Sequence, residues 1–438
     1  MTHDGSKDDP CEARIILANI HKALFYALVF FLPVNLAKHF VFSGAYVNGL
    51  LSDYLVPAIY VTDILIVGML LTWFINLIVS HNARELRLGR VPHILLLFLT
   101  AAGFSAITSA NFPASVFFFL SFLLHLLFCF YVACTFSAAR DFATVVKVLS
   151  VSVFLLSVLA IFQWGRQGSV FDNYLFFGEQ PYSSATPGIA REGLFGRYVV
   201  PSYGTFRHPN AFGGFLSVVL LWILYAGNEA PRTRVRVIIF LLGVLALLLT
   251  FSQSAWGAFV FGAAVFEVIK RFGKRAVAAA LIITFVISVS ALFLPALQRT
   301  PALRESRSVL VRGALLSSAY ENIPRNLFFG VGLNASTTII DKHFDVVEVV
   351  RFTQPPHNIF VLLLLEGGAF FLLAFVFLLG YVFYLLLRQS FGVPALVFVS
   401  LLQIVVMGSF DHYFFTMQQT KLLFLLTLGI GLAYTKRR

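Results

Sequence analysis

The chain alternates long, nearly charge-free apolar blocks with short polar connections. A block of roughly 20 such residues is suited to a helix that crosses a bilayer, because only there does the backbone satisfy its own hydrogen bonds without water. Twelve stretches can be drawn, near 22–42, 57–79, 92–109, 114–136, 144–163, 204–226, 237–251, 254–269, 276–296, 357–387, 393–411 and 418–435. Composition agrees: 59% of residues are hydrophobic and 12% charged, where soluble domains carry roughly 25% charge. A water-soluble fold could not cover that much apolar surface. The expected fold class is all-α, a polytopic integral membrane protein of about 12 transmembrane helices with a large outer loop that contains short helices. Its expected parts are a cytoplasmic tail at 1–19, nine helices over 20–296, the large outer loop at 297–356, and three helices with a cytoplasmic tail over 357–438, all in one membrane domain. Pro33 and Lys38 inside the first stretch predict a kink, and the seventh and eighth stretches are short and joined by a tight turn.

Charge predicts the orientation. With the N-terminus in the cytoplasm, the inner segments hold Arg84, Arg87, Arg90, Arg140, Lys147, Arg232, Arg234, Arg236, Lys270, Arg271, Lys274, Arg275, Arg388, Lys436, Arg437 and Arg438. That bias is the positive-inside pattern. It accounts for most of the net charge of +12, so no nucleic-acid partner is expected. The polar start, Met1 to Arg14, runs into the first span without a small-residue cleavage site, and no cleaved signal is expected. Cys11, Cys129 and Cys134 offer neither a disulfide nor a thiolate metal site: the last two lie five apart in one apolar segment, where a helix points them in different directions.

The two long outer loops, near 164–203 and 297–356, are themselves basic, with Arg166, Arg191, Arg197, then Arg207 at a helix mouth, then Arg299, Arg304, Arg307, Arg312, Arg325, Lys342 and Arg351. Long loops carry such charge without violating the orientation rule. Cations held at an outer membrane surface also make a receptor for an anionic headgroup such as a diphosphate.

Polar side chains gather at the same face. Arg207-His208-Pro209-Asn210 opens the sixth stretch, Ser252-Gln253-Ser254 forms the tight turn, Pro356-His357-Asn358 opens the tenth, Asp411-His412-Tyr413 closes the eleventh, and Asp53 and Asp63 flank the second. Each has a plain structural reading: prolines in first turns, Asn or Ser as caps, an arginine reaching headgroups, hydrogen-bonded histidines. Three histidines at one face invite zinc, but no pair has ligand spacing on one helix, and no metal is expected. Their collection on one side carries the inference rather than any single residue.

These residues resemble the O-antigen ligase and polymerase family of bacterial envelope glycosyltransferases. The matching pieces are Gly204-Thr-Phe-Arg-His-Pro-Asn210 with Gly213-Gly214; Leu249-Thr-Phe-Ser252; Arg307 and Arg312 followed by Phe329-Gly-Val-Gly332; Pro356-His-Asn358 with Glu366-Gly367; and Phe410-Asp-His-Tyr413. They run in the family's order over about 195–430. One departure is Gln253, where the family often has an arginine after the serine. The resemblance implies a multi-pass protein of the bacterial inner membrane with both termini cytoplasmic. It implies transfer of a glycan from an undecaprenyl diphosphate carrier to an acceptor hydroxyl at the outer face, with a glycan, lipid or protein acceptor and no cofactor. His357 is then the candidate base, with Asp411 orienting a histidine or an arginine and Asp63 as a rival base. Arg207, Arg307 and Arg312, with His208 and Asn358, are the candidate diphosphate ligands. No Asp-x-Asp pair occurs in the outer loops, in keeping with metal independence. The mixed stretch from Leu303 to Tyr320 reads as an interfacial helix lying on the membrane. The alternatives are a polymerase using the same donor, which nothing in the sequence separates from a ligase, and a transporter or flippase. A transporter would place ionisable groups at span midplanes, and His125 is the main candidate deep in a span.

Overall fold

The computed structural model describes residues 10–81, 86, 88–225, 233–297, 307–340 and 354–437. Its main elements are α1 (Pro10–Phe31), α2 (Val61–Ser80), α3 (Val91–Ile107), α4 (Phe112–Thr135), α5 (Ala138–Arg166), α6 (Pro209–Tyr225), α7 (Thr233–Leu249), α8 (Gln253–Phe272), α9 (Lys274–Leu292), α10 (Arg307–Asn322), α11 (Ile359–Leu387), α12 (Val393–Gly408) and α13 (Gln418–Ala433). Each of the twelve apolar stretches overlaps one of these helices. Five helical segments, Val61–Ser80, Phe112–Thr135, Ala138–Arg166, Arg275–Leu292 and Ile359–Leu387, are long and apolar enough to cross a membrane, and four shorter apolar ones accompany them. The chain is a helical membrane protein. Among the cations that set the expected orientation and the outer basic loops, Arg84, Arg87, Arg232, Arg299, Arg304, Lys342, Arg351 and Arg438 lie outside the described residues.

Burial sorts the helices. Along α6 and α13 almost every residue is buried, polar ones included, as expected of helices that are apolar all round and surrounded by others. The rim helices instead keep large apolar side chains outside: Ile64, Leu71, Phe74 and Ile78 on α2, and Ile282 and Phe285 on α9. Such a surface suits hydrocarbon rather than water.

The first apolar stretch ends sooner than its hydropathy suggests. Helix α1 stops at Phe31, just before Pro33, so the proline terminates the helix instead of kinking it. The chain then forms strand β1 (Ala37–His39), with Lys38 exposed, paired antiparallel with β4 (Ala58–Tyr60). Between them β2 (Tyr46–Val47) pairs with β3 (Leu50–Leu51). In the second long loop β5 (Glu192–Leu194) pairs with β6 (Arg197–Val199).

Helix α11 is interrupted at Gly368, which has φ 70°. The backbone groups released there are met by other segments. The Leu365 carbonyl accepts from Val331 N–H (2.8 Å), the Glu366 carbonyl from Gly332 N–H (3.0 Å) and Ser105 Oγ (2.7 Å), and Ala369 N–H donates to Leu327 (2.7 Å). The buried Glu366 carboxylate accepts from Asn334 N–H (2.9 Å), Ser336 N–H (3.3 Å) and Ser336 Oγ (2.7 Å). Phe329-Gly-Val-Gly332 and Glu366-Gly367 are thus two halves of one lock that fastens the outer loop to α11. Helix α10 packs beside it, with Leu315, Leu316 and Ala319 buried against Val331, Val361 and Leu365. The expected interfacial helix is therefore held by protein on its inner side; Leu303, where it was expected to begin, lies outside the described residues.

Candidate functional site

The N-terminal ends of α2, α4 and α13 and the mouth of α6 surround a cavity of about 1140 Å³, lined among others by Tyr54, Asp63, Arg207, His208, Gln418 and Lys421. Beside it three loops converge: the one before α6, the one before α11, and the turn after α12. Close approach at α6 makes this possible. A side chain on Gly213 would press on Ala255, Ser252 and Thr250 at 2.9–3.0 Å, and one on Gly214 would meet the Tyr413 ring at 2.6 Å. The paired glycines therefore let α6 sit against both the tight turn at 250–252 and the segment that carries Asp411 and His412.

Asn358 caps α11. Its Oδ1 accepts from Phe360 N–H (3.0 Å) and Val361 N–H (3.1 Å), and its Nδ2 donates to the Ser409 carbonyl (2.9 Å). This one side chain starts the helix and ties the His357 loop to the Asp411 loop. Asn210 Nδ2 donates to Asp411 Oδ2 (3.0 Å), and Asp411 Oδ1 accepts from His412 N–H (2.8 Å). Arg312 of α10 brings Nη2 to 4.0 Å from Asp411 Oδ2. The His357 and His412 rings lie 4.9 Å apart at 70°, and Tyr54 stands edge-on to His412 at 5.5 Å. His412 Nδ1 is engaged by Thr416 Oγ1 (2.7 Å), and His208 Nδ1 accepts from Asn210 N–H (3.1 Å). His357 Nδ1, in contrast, is buried with no hydrogen-bond partner among the described residues.

Burial sets the protonation states. It lowers all three imidazoles below the ordinary 6.5, His357 far below and His412 to about 4, although the Asp411 charge pulls the other way. Burial alone would raise the Asp411 carboxyl, but the surrounding His357, His412, Arg312 and His208 outweigh it and hold the group below the usual carboxylate range. At neutral pH the arrangement is an ionised carboxylate beside an arginine and neutral imidazoles.

Donor atoms of His357, Asp411 and His412 lie within 4.8 Å of one another, a spacing able to hold a metal ion. Helix spacing could not reveal this, because the three side chains come from two separate loops. Part of that donor set is already committed: Asp411 to Asn210, to the His412 N–H and to Arg312, and His412 Nδ1 to Thr416.

The other candidates fall around the cavity. Arg207 places Nη2 2.6 Å from His39 Nε2 and buries Nε without a partner among the described residues. Tyr54 feels the charges of both Arg207 and Asp411, so the arginine and the Asp411 cluster share one neighbourhood. Asp63 belongs to a different set. Its Oδ1 meets His125 Nε2 (3.0 Å) and Gln418 Nε2 (2.7 Å), and its Oδ2 accepts from Tyr60 N–H (2.9 Å). The side chain of Arg307 lies outside the described residues. Sequence reasoning missed Lys421, Gln418, Tyr54 and Thr416. The only signal was Gln418-Gln-Thr-Lys421 opening an otherwise apolar helix.

The matched region runs from α7 into α11: residues 238–376 fit the family model described as O-antigen ligase. This region belongs to the O-antigen ligase family. It contains Arg312, His357, Asn358 and the Glu366 lock, whereas Arg207, His208, Asp411 and Asp63 lie outside it. No curated protein matches the chain. An O-antigen ligase-type membrane enzyme, broadly a glycosyltransferase, follows from the family, with a lipid-linked glycan and an acceptor as its partners in general.

Proposed function

We propose that this O-antigen ligase-type enzyme transfers a glycan from an undecaprenyl diphosphate carrier to an acceptor hydroxyl, at the outer face of a bacterial inner membrane that the chain crosses about twelve times with both termini inside. His357 is the base. It takes the acceptor proton as the acceptor oxygen bonds to the anomeric carbon, and the bond from that carbon to the diphosphate oxygen breaks. Arg312 and Arg207 receive the charge that develops on the departing lipid diphosphate, with Arg307 as a further candidate. Asp411 keeps Arg312 and the two imidazoles in register and stabilises the imidazolium that forms on His357. The observation that carries this reading is the neutral Nδ1 of His357, without a hydrogen-bond partner among the described residues, beside the ion pair of Asp411 and Arg312. The direct test is transfer by the purified protein from a lipid-diphosphate glycan to candidate acceptors; no product with any hydroxyl acceptor would remove the proposal.

Two outcomes follow from the electrostatics. A base held neutral by burial loses function only as pH falls through its lowered pKa, so the transfer rate is expected to stay level from about pH 8 to 6.5 and to decline only below 6.5. A rate already halved at pH 6.5 would contradict a desolvated imidazole. Because Arg312 already supplies a positive charge beside Asp411, transfer is expected to be metal-independent and to survive exhaustive chelation. Loss on chelation with recovery on adding a divalent cation would assign His357, Asp411 and His412 to a metal instead.

A further inference from the structure

The cavity contains two cations with no carboxylate within 4.0 Å among the described residues, the buried Lys421 and the half-buried Arg207. Lys421 is 5% exposed, and its ammonium sits 5.2 Å from the centre of the Phe118 ring. The acid that most influences it, Asp63, is already engaged by His125, Gln418 and the Tyr60 N–H. Arg207 leans on the His39 imidazole, and its buried Nε has no partner among the described residues. Burying a cation without a counter-ion costs several kcal/mol. A buried ammonium and a guanidinium with a buried Nε in one cavity mark a place for an anion.

The neighbouring apolar wall says what carries that anion. Ile64 and Val67 of α2 and Phe117 and Leu120 of α4 line the cavity, and all four are exposed on the rim of the bundle. The cavity therefore opens sideways between two apolar helices. It also reaches the proposed chemistry, since the lining residues His208, Thr416 and Tyr54 belong to or touch the His412 cluster. We infer that Lys421, together with Arg207, binds the phosphate of a lipid that enters between α2 and α4 and leaves its chain in that opening. This rests on the transferase reading only for the purpose of the lipid. The shared chemistry, a lipid phosphate, can come from the donor or from a phosphorylated lipid acceptor.

The test uses the full chain in phosphatidylcholine nanodiscs, with undecaprenyl diphosphate, diacyl phosphatidic acid and phosphate-free undecaprenol as probes. Lys421→Gln is expected to weaken binding of at least one phosphate lipid by roughly tenfold and to leave undecaprenol unchanged. A photo-crosslinking residue at Leu120 is expected to label the bound phosphate lipid, and less so in Lys421→Gln. Preference for the polyprenyl diphosphate assigns the site to the donor, and preference for phosphatidic acid assigns it to an acceptor. Lys421→Met is expected to hold or raise the thermal midpoint, because an unpaired buried charge is removed; a marked fall would mean that the lysine is structural. Unchanged affinity for both phosphate lipids in Lys421→Gln overturns the site. Lysine-dependent binding without any transfer leaves the site standing and removes the transferase reading. Transfer that persists at full rate in Lys421→Gln, with binding unchanged, does the reverse.

Discussion

Replacing His357 with alanine is expected to lower glycan transfer by roughly 10²–10⁴-fold, the range general-base catalysis supplies, while the protein still folds and still binds its lipid. The reason folding should survive lies in the local bonding. Among the described residues His357 Nδ1 has no partner to strand, and the cap of α11 belongs to Asn358, whose three hydrogen bonds do not involve the imidazole. The lost packing is a ring contact with His412. His412 is the natural control. Its Nδ1 is tied to Thr416 Oγ1, a bond that alanine cannot make, so His412→Ala disturbs the turn after α12 as well as the site, and its thermal midpoint should fall further than that of His357→Ala. Single-turnover transfer, with lipid binding measured in parallel, separates the two. Near-wild-type transfer in His357→Ala would remove the histidine from the mechanism, and Asp63, the rival carboxylate, would then be the next group to replace.

The sequence made the helices legible because bilayer solvation leaves the backbone so few choices. Every apolar stretch overlaps a helix, and the main disagreement, the first stretch, comes from Pro33: hydropathy averages over a proline that the backbone cannot ignore. Within the site, residue types were readable and their partners were not. His357, Asp411 and His412 stand together because Asn358 bonds Ser409 across two loops and because Gly213 and Gly214 let α6 approach the tight turn and the Tyr413 segment. No pattern along one helix encodes such contacts, which is why a search for ligand spacing on single helices passed over the triad. Asp63 looked like a free carboxylate at a helix start; its three partners come from α4, α13 and the preceding strand. Lys421 carried no reading of its own in the sequence, and only the surrounding helices show it buried.

Glycine 330 gives the second large effect, and it acts through position instead of chemistry. Gly330 has φ +72°, and a Cβ there would overlap the Glu366 carbonyl and the Gly367 nitrogen, which are backbone atoms and cannot swing aside. Gly330→Ala therefore combines left-handed strain of about 1–3 kcal/mol with overpacking of about the same size. The cheapest relief is to part the segment 327–336 from α11. That would unmake the bonds from Val331 and Gly332 to Leu365 and Glu366 and leave the Glu366 carboxylate buried without its Asn334 and Ser336 donors. Helix α10 rests on the same segment through Leu315, Leu316 and Val331, so Arg312 would be carried away from Asp411, now 4.0 Å from it. The expected result is a markedly lower thermal midpoint in detergent, with the folded remainder transferring at least about tenfold more slowly, as when a group that meets developing charge is misplaced. Gly332→Ala, at φ +117° against Ser109, should behave alike. Gly380→Ala lies on the same helix with open space around it and should change neither quantity. If Gly330→Ala is as stable and as active as the parent, the outer loop is not fastened to the break in α11, and the lock cannot be what aims Arg312.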